Sequence, residues 1–154
     1  MSLANIKNLQ REKGFTIVEL LIVIVVIAIL VAIVIVSYTG ITRQANASAA
    51  KANAQQVLKV AEAYAADEGN GNYPDLTELN GWTGGVTTKP EGVTVNAAQL
   101  TETQADGKTI QYVPDGDTGA CIGYWDASLG TPQAQYLYAG TAATGTNDPT
   151  PTCA

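Results

Sequence analysis

The apolar residues of this chain are concentrated in one long run near the N-terminus. Residues 20–36 are seventeen consecutive apolar residues, and the run reaches back to Phe15 with only Thr16 and Glu19 as polar interruptions. A helix of about 22 residues rises ~1.5 Å per residue and spans roughly 33 Å, close to the ~30 Å hydrocarbon core of a bilayer. The pattern predicts a membrane-spanning helix over residues 15–37.

Residues 38–68 carry a different pattern, in which apolar residues recur at helical spacing among Ala, Gln, Lys and Glu. Four of them stand at positions i, i+3, i+4 and i+7 and so share one face of a helix. These residues are Val57, Val60, Ala61 and Tyr64. The alternating Gly and Asn residues of 69–72 form a strong helix stop. One helix is therefore predicted over residues 15–68, amphipathic in its second half.

The remaining residues, 69–154, alternate short β-prone runs with turns rich in Gly, Pro, Asn and Asp. The candidate strands are residues 93–96, 108–113, 120–125 and 133–139. Such spacing predicts an antiparallel sheet that covers the apolar stripe of the helix. The fold class is therefore α+β, a long N-terminal helix packed through its second half on a small antiparallel sheet. The tail from Thr141 shows no packing pattern.

The sign of the net charge changes at Phe15, where the apolar run begins. Before Phe15, Lys7, Arg11 and Lys13 stand against Glu12, a net charge of +2. From Phe15 onward five basic residues face thirteen acidic ones. Basic residues ahead of an apolar span favour a cytoplasmic N-terminus and an exported C-terminal part, although basic residues on the other flank weaken this bias. The C-terminal part, residues 69–154, is called the head below. Its acidic charge also argues against nucleic-acid binding, which requires clustered Lys and Arg.

Cys121 and Cys153 are the only cysteines, and both lie in the part predicted to be exported. An oxidising exterior favours a disulfide between them. Two unrelated free thiols are the alternative, and a zinc site would need two carboxylates to complete its ligands because the chain has no His. The disulfide would close a loop of about 30 residues, worth roughly 3 to 4 kcal/mol in the chain-entropy treatment.

Few residue patterns that carry enzymatic chemistry are present. The chain has no His, no G-x-S-x-G motif and no phosphate-binding loop, so the sequence predicts neither an enzyme nor a cofactor. Asp115 and Asp117 lie in a predicted turn and could supply oxygen ligands to calcium, but the full spacing of a calcium loop is missing. An ordinary acidic turn is the alternative, and no metal site is predicted.

One segment combines several specific features: Lys13-Gly14-Phe15-Thr16-Ile17-Val18-Glu19-Leu20-Leu21. It joins a short basic leader to the apolar span, with Gly directly before Phe and an acid four residues later. This segment resembles the processing and methylation signature of type IV pilins and the related pseudopilins. The resemblance is close over residues 7–38, and the rest agrees in outline: a long helix, a helix stop, a small sheet and a C-terminal disulfide loop.

The resemblance implies that a prepilin peptidase removes residues 1–14 by cutting between Gly14 and Phe15, and that the Phe15 amine is then N-methylated. It implies that residues 15–37 anchor the subunit and later pack into the core of a helical filament. Glu19 is expected to pair with the Phe15 amine of a neighbouring copy, because an acid in an apolar span costs roughly 2.5 kcal/mol or more. The alternative is that the Glu19 side chain only extends to the polar headgroups of the lipids.

Two positions depart from the family pattern. Many members carry Gly in mid-span and Pro near its end, where this chain has Ala28 and Val36. We therefore expect a more continuous helix in lipid, without local melting on assembly.

These features predict a structural subunit, the major pilin, of an extracellular type IV pilus. Before assembly it is expected in the inner membrane as a single-pass protein with a cytoplasmic N-terminus. Its expected partners are copies of itself, the prepilin peptidase and methylase, and the pilus assembly platform with its ATPase. A pseudopilin of a type II secretion or DNA-uptake apparatus is the alternative. A second alternative is a membrane-anchored binding protein that never polymerises, for which Glu19 would have no use.

Overall fold

The computed structural model describes residues 14–68, 70–84, 88–141 and Cys153. These residues form two helices, four strands and a short 3₁₀ turn. In chain order they are α1 (Ile17–Asp67), α2 (Leu76–Gly81), β1 (Thr94–Asn96), the 3₁₀ turn (Glu102–Gln104), β2 (Thr109–Asp115), β3 (Gly119–Asp126) and β4 (Gln133–Gly140). The chain divides into two compact units, Met1–Tyr38 and Thr39–Ala154, and α1 contributes residues to both.

The described part of the first unit, residues 14–38, is the apolar start of α1. Its large hydrophobic side chains are all exposed, from 46% at Val25 to 84% at Phe15. By length and composition this helix can cross a membrane. A helix whose apolar side chains are exposed on every side is stable in lipid or against other apolar helices.

In the second unit, α1 packs on the sheet through one stripe of small residues. The buried residues recur at steps of mainly three and four, which keeps one helix face toward the sheet. They are Ala47, Ala50, Ala54, Val57, Val60, Ala61 and Ala65. The predicted stripe residues Val57, Val60 and Ala61 are buried as expected, and Tyr64 is half-buried at the edge.

The sheet is mixed, with strand order β1-β2-β3-β4. β2, β3 and β4 are antiparallel neighbours, with Ile122 between Tyr112 and Leu137. β1 instead pairs with β2 in parallel, with Val95 opposite Ile110. The α+β class and the four strand positions are confirmed, but the predicted all-antiparallel sheet is corrected at its first strand. About a dozen residues separate β1 from β2, enough for a crossover that returns the chain in the same direction.

Two hydrogen bonds, one of them from a buried tyrosine side chain, attach the segment after α1 to the sheet. The Tyr112 side chain is fully buried, and its hydroxyl donates to the Pro74 carbonyl at 2.8 Å. Burial raises the pKa of Tyr112, so the hydroxyl keeps the proton that it donates. The Tyr73 N–H donates to the Asp117 carbonyl at 2.8 Å. These two bonds hold residues 73–74 against the hairpin of β2 and β3.

α1 ends close to the predicted stop. Asn70 and Gly71 take positive φ angles of 48° and 95°, which turns the chain out of the helix. The Gly71 N–H then donates to the Ala65 carbonyl at 2.7 Å and satisfies one of the last helical carbonyls. The predicted helix over residues 15–68 is therefore confirmed to within about two residues at each end.

The short helix α2 was not predicted, although its start is visible in the sequence. Its N-cap is Asp75, whose carboxylate accepts from the Glu78 N–H at 2.7 Å. In return the Glu78 carboxylate accepts from the Asp75 N–H at 2.8 Å. This reciprocal pair is a capping box, and the spacing Asp75-x-x-Glu78 is its sequence signature.

The turn before β2 is docked directly on α1. Asn46 Nδ2 donates to the Ala105 carbonyl at 3.1 Å, and Asn53 Nδ2 donates to the Gly107 carbonyl at 2.8 Å. Gly107 has a φ of +76°, and a Cβ there would lie 2.7 Å from the Asn46 carbonyl oxygen. Asn46 and Asn53 are about two helical turns apart and therefore share a face of α1. Their hydrogen bonds hold the segment of Ala105 and Gly107 against the helix.

We predict that Gly107→Ala destabilises the second unit more than Gly116→Ala. Both glycines have positive φ, but nothing lies within 4 Å of a Cβ at Gly116. Gly116→Ala should therefore cost only the backbone strain, about 1–2 kcal/mol. Gly107→Ala adds the clash with α1, roughly 1–3 kcal/mol more. Urea unfolding of the detergent-solubilised chain measures both, and equal losses would show that the turn is not tightly docked.

Candidate functional site

α1 begins with a capping box formed by Thr16 and Glu19. The Thr16 N–H and hydroxyl donate to Glu19 Oε2 at 2.8 and 2.7 Å. The Glu19 N–H donates to Thr16 Oγ1 at 3.2 Å, and the Leu20 N–H donates to the Thr16 carbonyl at 3.3 Å. Thr16 is thus the N-cap and Glu19 the third helical residue, the arrangement that satisfies two free amides at a helix start.

The capping box fixes where the only charge of the span lies. No other acid occurs between Phe15 and Ala61, and Glu19 is exposed one turn inside the helix. The partial positive charge of a helix N-terminus stabilises a carboxylate at this position. Thr16 occupies Oε2, and Oε1 has no hydrogen-bond partner among the described residues. One carboxylate oxygen therefore remains able to accept from another group.

The predicted scission bond lies immediately before this box. Gly14 and Phe15 are in irregular backbone ahead of α1, and both are exposed. Nothing lies within 4 Å of a Cβ at Gly14, and the Phe15 side chain is 84% exposed. Irregular, uncrowded backbone is what a protease requires of its substrate. Residues 1–13, with the basic leader, lie outside the described residues.

The structure therefore brings Gly14, Phe15 and Glu19 together within about one helical turn. It adds Thr16, which the sequence reasoning treated only as an interruption of the apolar run. The signal was present, because Thr16-x-x-Glu19 before an apolar stretch is the spacing of a capping box. Glu19 thus has a local structural role, and its pairing between subunits stays a prediction.

The predicted disulfide is present between Cys121 and Cys153, with a Cα–Cα distance of 5.5 Å. Cys121 is buried in β3 opposite Tyr138, so the bond attaches the end of the chain to the middle of the sheet. Neither thiol is free, which removes the two alternatives of free cysteines and a zinc site. The tail residues 142–152 lie outside the described residues.

The weak calcium candidates lie in the hairpin turn between β2 and β3. Asp115 ends β2, Gly116 takes a φ of +57°, and the Asp117 carbonyl accepts from the Tyr73 N–H. Across the part of the chain that the structure describes, no group of three or more His, Cys, Asp or Glu side chains is placed to hold a metal ion. The Asp117 contact gives this turn a structural function.

Comparison with known families identifies the N-terminal segment. The family model of the prokaryotic N-terminal methylation motif matches residues 9–35. The chain therefore carries the prepilin signature of type IV pilins and pseudopilins, which are structural subunits and not an enzyme family. This signature implies processing by a prepilin peptidase, and the apolar helix is consistent with single-pass anchoring of a prepilin. No curated protein and no solved structure matches the chain.

We predict that the bond from Cys121 to Cys153 forms in the exported protein and stabilises the head. Peptide mapping without reduction should recover the two cysteines in one linked fragment, which separates after reduction. The double variant Cys121→Ser, Cys153→Ser should lose roughly 3 to 4 kcal/mol of unfolding free energy, because the unfolded chain is no longer constrained. Complete alkylation of both thiols in native, unreduced protein would contradict the disulfide.

Proposed function

We propose that this chain is the structural subunit of an extracellular type IV pilus, and that it polymerises through residues 15–37. Prepilin peptidase cuts between Gly14 and Phe15, and the new Phe15 amine is methylated. The observation that carries the proposal is the apolar half of α1, which is exposed on every side and begins with the Thr16–Glu19 capping box. The chain has a structural role and no catalytic one.

The apolar surface supports this proposal because its side chains must be removed from water. Each exposed Leu, Ile or Val of the span gains roughly 1.5–3 kcal/mol when it leaves water for an apolar environment. The membrane meets this need before assembly, and equivalent spans of neighbouring copies meet it in a filament. A lone anchor would be satisfied by lipid alone, so the apolar surface does not by itself distinguish an anchor from a subunit.

The charge at Glu19 supports polymerisation over a simple anchor. Near the cytoplasmic face of the membrane, Glu19 and the Phe15 amine both remain hydrated. When spans pack side by side both groups lose water, and an unpaired charge then costs roughly 3–5 kcal/mol. Thr16 holds one oxygen of Glu19 and leaves the other for the amine of a neighbouring copy. The carboxylate therefore couples assembly to removal of the leader, which creates that amine.

The head supports the pilus over the pseudopilin alternative. The disulfide from Cys121 to Cys153 closes the C-terminus on the sheet, which suits a filament outside the cell, where disulfides persist and proteases attack loose ends. The acidic turn at Asp115 and Asp117 mildly favours a secretion pseudopilin instead. Both versions require the same partners: the peptidase and methylase, an assembly platform and its ATPase.

We predict that mature protein begins at Phe15 and that its amine carries one methyl group. Intact-mass and N-terminal peptide mass spectrometry of the membrane pool and of sheared filaments will measure both. Cells that lack the prepilin peptidase provide the control, and their protein should retain residues 1–14. Assembled material that still begins at Met1, or that is cleaved beyond Val36, would refute the proposal.

We predict that Glu19→Ala abolishes filament formation but leaves leader cleavage and head folding intact when no wild-type copy is present. The informative controls separate the cap from the charge. Glu19→Gln keeps an acceptor for Thr16 and loses the charge, whereas Thr16→Val keeps the charge and loses the hydroxyl that bonds the Glu19 N–H and carboxylate. If pairing of charges drives assembly, Glu19→Gln should fail like Glu19→Ala, and Thr16→Val should assemble better than either.

The measurement is the ratio of sheared extracellular filament to the membrane pool. Normal filament yield from Glu19→Ala would move the interpretation to the anchored protein. Wild-type fibres retained within the envelope, with none sheared from the surface, would favour the pseudopilin.

A further inference from the structure

The second unit contains a surface cavity of about 430 Å³ at the C-terminal end of α1. Two carboxylates, Glu68 and Glu78, and two aromatic rings, Tyr64 and Trp82, line it. The rings meet edge to face, with centroids 5.9 Å apart and planes at 80°. No basic residue lines the cavity. Its chemistry is therefore that of a site for a cation, since carboxylates and aromatic faces both attract positive charge.

The electrostatics of this cavity act on Tyr64. Burial raises the pKa of the Tyr64 hydroxyl, and hydrogen bonding to Glu78 and the nearby charges of Glu78, Glu68 and Asp75 raise it further. All three carboxylates act on the Tyr64 hydroxyl, and none of them forms an ion pair with a described residue. Such a concentration of negative charge is unfavourable in an isolated head and is relieved when a cation binds.

The cavity also contains an unused hydrogen-bond donor. Trp82 is only 8% exposed, and its Nε1 has no hydrogen-bond partner among the described residues. The position that a Cβ of Gly84 would occupy is 2.7 Å from Trp82 Nε1 and 3.2 Å from Glu68 Oε1. The donor and the carboxylate thus converge on the same wall of the cavity. A buried N–H without an acceptor is costly, so a partner that brings both a cation and an acceptor fits this wall.

The chain itself carries a matching surface. Lys51, Gln55 and Lys59 follow one another at i, i+4 and i+8 on α1, and all three are exposed. None of them has an ion-pair or hydrogen-bond partner among the described residues. Side chains four residues apart on a helix are neighbours at about 5–6 Å. This stripe therefore presents an amide oxygen between two ammonium groups.

We propose that the cavity of one copy binds the Lys51–Gln55–Lys59 stripe of a second copy. A lysine ammonium lies between Glu68 and Glu78, and the Gln55 amide oxygen approaches Trp82 Nε1. The inference rests on the proposed function and specifies how neighbouring heads in the filament recognise each other. The contact joins two different surfaces of the same chain, so it can repeat from copy to copy, as a helical filament requires.

The contact cannot form within one chain. Lys59 and Lys51 are separated from Glu68 by nine and seventeen residues of the same helix segment. At ~1.5 Å per residue these separations are roughly 14 and 26 Å along the helix axis. Nine residues are also about two and a half helical turns, so Lys59 lies on the opposite side of the helix from Glu68, and neither lysine can reach this carboxylate within one chain. Any bond between Glu68 and either lysine is therefore evidence of two copies in contact.

Charge reversal tests the contact in the full-length, processed protein. Glu68→Lys places a cation in the cavity, and Asp67→Lys is the matched control because it makes the same change at an exposed neighbour that does not line the cavity. Glu68→Lys should reduce the yield of sheared filament roughly tenfold or more, because juxtaposed like charges are strongly unfavourable. Asp67→Lys should change the yield less than about twofold.

A compensating reversal identifies the partner. Adding Lys59→Glu or Lys51→Glu to Glu68→Lys should restore filaments, whereas Lys108→Glu should not. In wild-type filaments, a zero-length carbodiimide reagent should condense a lysine amine of the stripe with the Glu68 carboxylate, with loss of water. Mass spectrometry would then find a peptide that links Glu68 to Lys59 or Lys51.

The two levels of inference fail differently. If the wild-type chain forms no filament or fibre, the proposed function fails. If wild-type filaments form but Glu68→Lys behaves like Asp67→Lys, or neither stripe reversal restores assembly and no cross-link appears, the proposed contact is overturned while the pilin function stands.

Discussion

The structure depends on an apolar surface that the described part of the chain leaves exposed. Over residues 17–36 of α1 the large hydrophobic side chains are all exposed, and a water-soluble fold could not tolerate this. Lipid satisfies the surface in a single copy, and other copies satisfy it in an assembly. Under the proposed function, the same side chains act first as a membrane anchor and then as an interface between copies. The Ala28 and Val36 positions, without Gly or Pro, keep this surface on one continuous helix.

The second half of the same helix packs against the head. Ala50 and Ala54 are completely buried, and their small side chains let the backbone of α1 come close to its neighbours. The close approach is clearest at the turn around Gly107, which the amides of Asn46 and Asn53 hold in place. Close packing of small residues makes the position of the helix specific. It also leaves the opposite face, with Lys51 and Lys59, free to carry charge.

The sequence was informative where a signal is local or periodic. The apolar run predicted the span, and strand-prone runs between turns predicted all four strands. The parallel pairing of β1 was not predictable in the same way, because strand direction depends on how the connection from Asn96 to Thr109 crosses the sheet. The alanines at 47, 50 and 54 were overlooked because Ala is common on both buried and exposed helix faces. The capping boxes at Thr16 and Asp75 could have been predicted, because each of these residues is followed three positions later by Glu.

The capping box at Thr16 sharpens the argument about Glu19 because it gives the side chain a second reason to be present. The part of the capping box that residue 19 supplies is only an oxygen that accepts from the Thr16 N–H, and Gln supplies one as well as Glu does. In an apolar span a neutral amide is less costly to place than a carboxylate, because it carries no net charge to desolvate. The helix N-terminus favours the carboxylate by only about 0.3–1 kcal/mol, less than the roughly 2.5 kcal/mol or more that a charged acid costs in an apolar span, so helix initiation alone would favour Gln at this position. Under the proposed function, a partner with positive charge explains the carboxylate, and cleavage at Gly14 would create that partner at Phe15 of a neighbouring copy. The capping box would then position the carboxylate, since Thr16 holds one of its oxygens at the helix start and leaves the other for that amine.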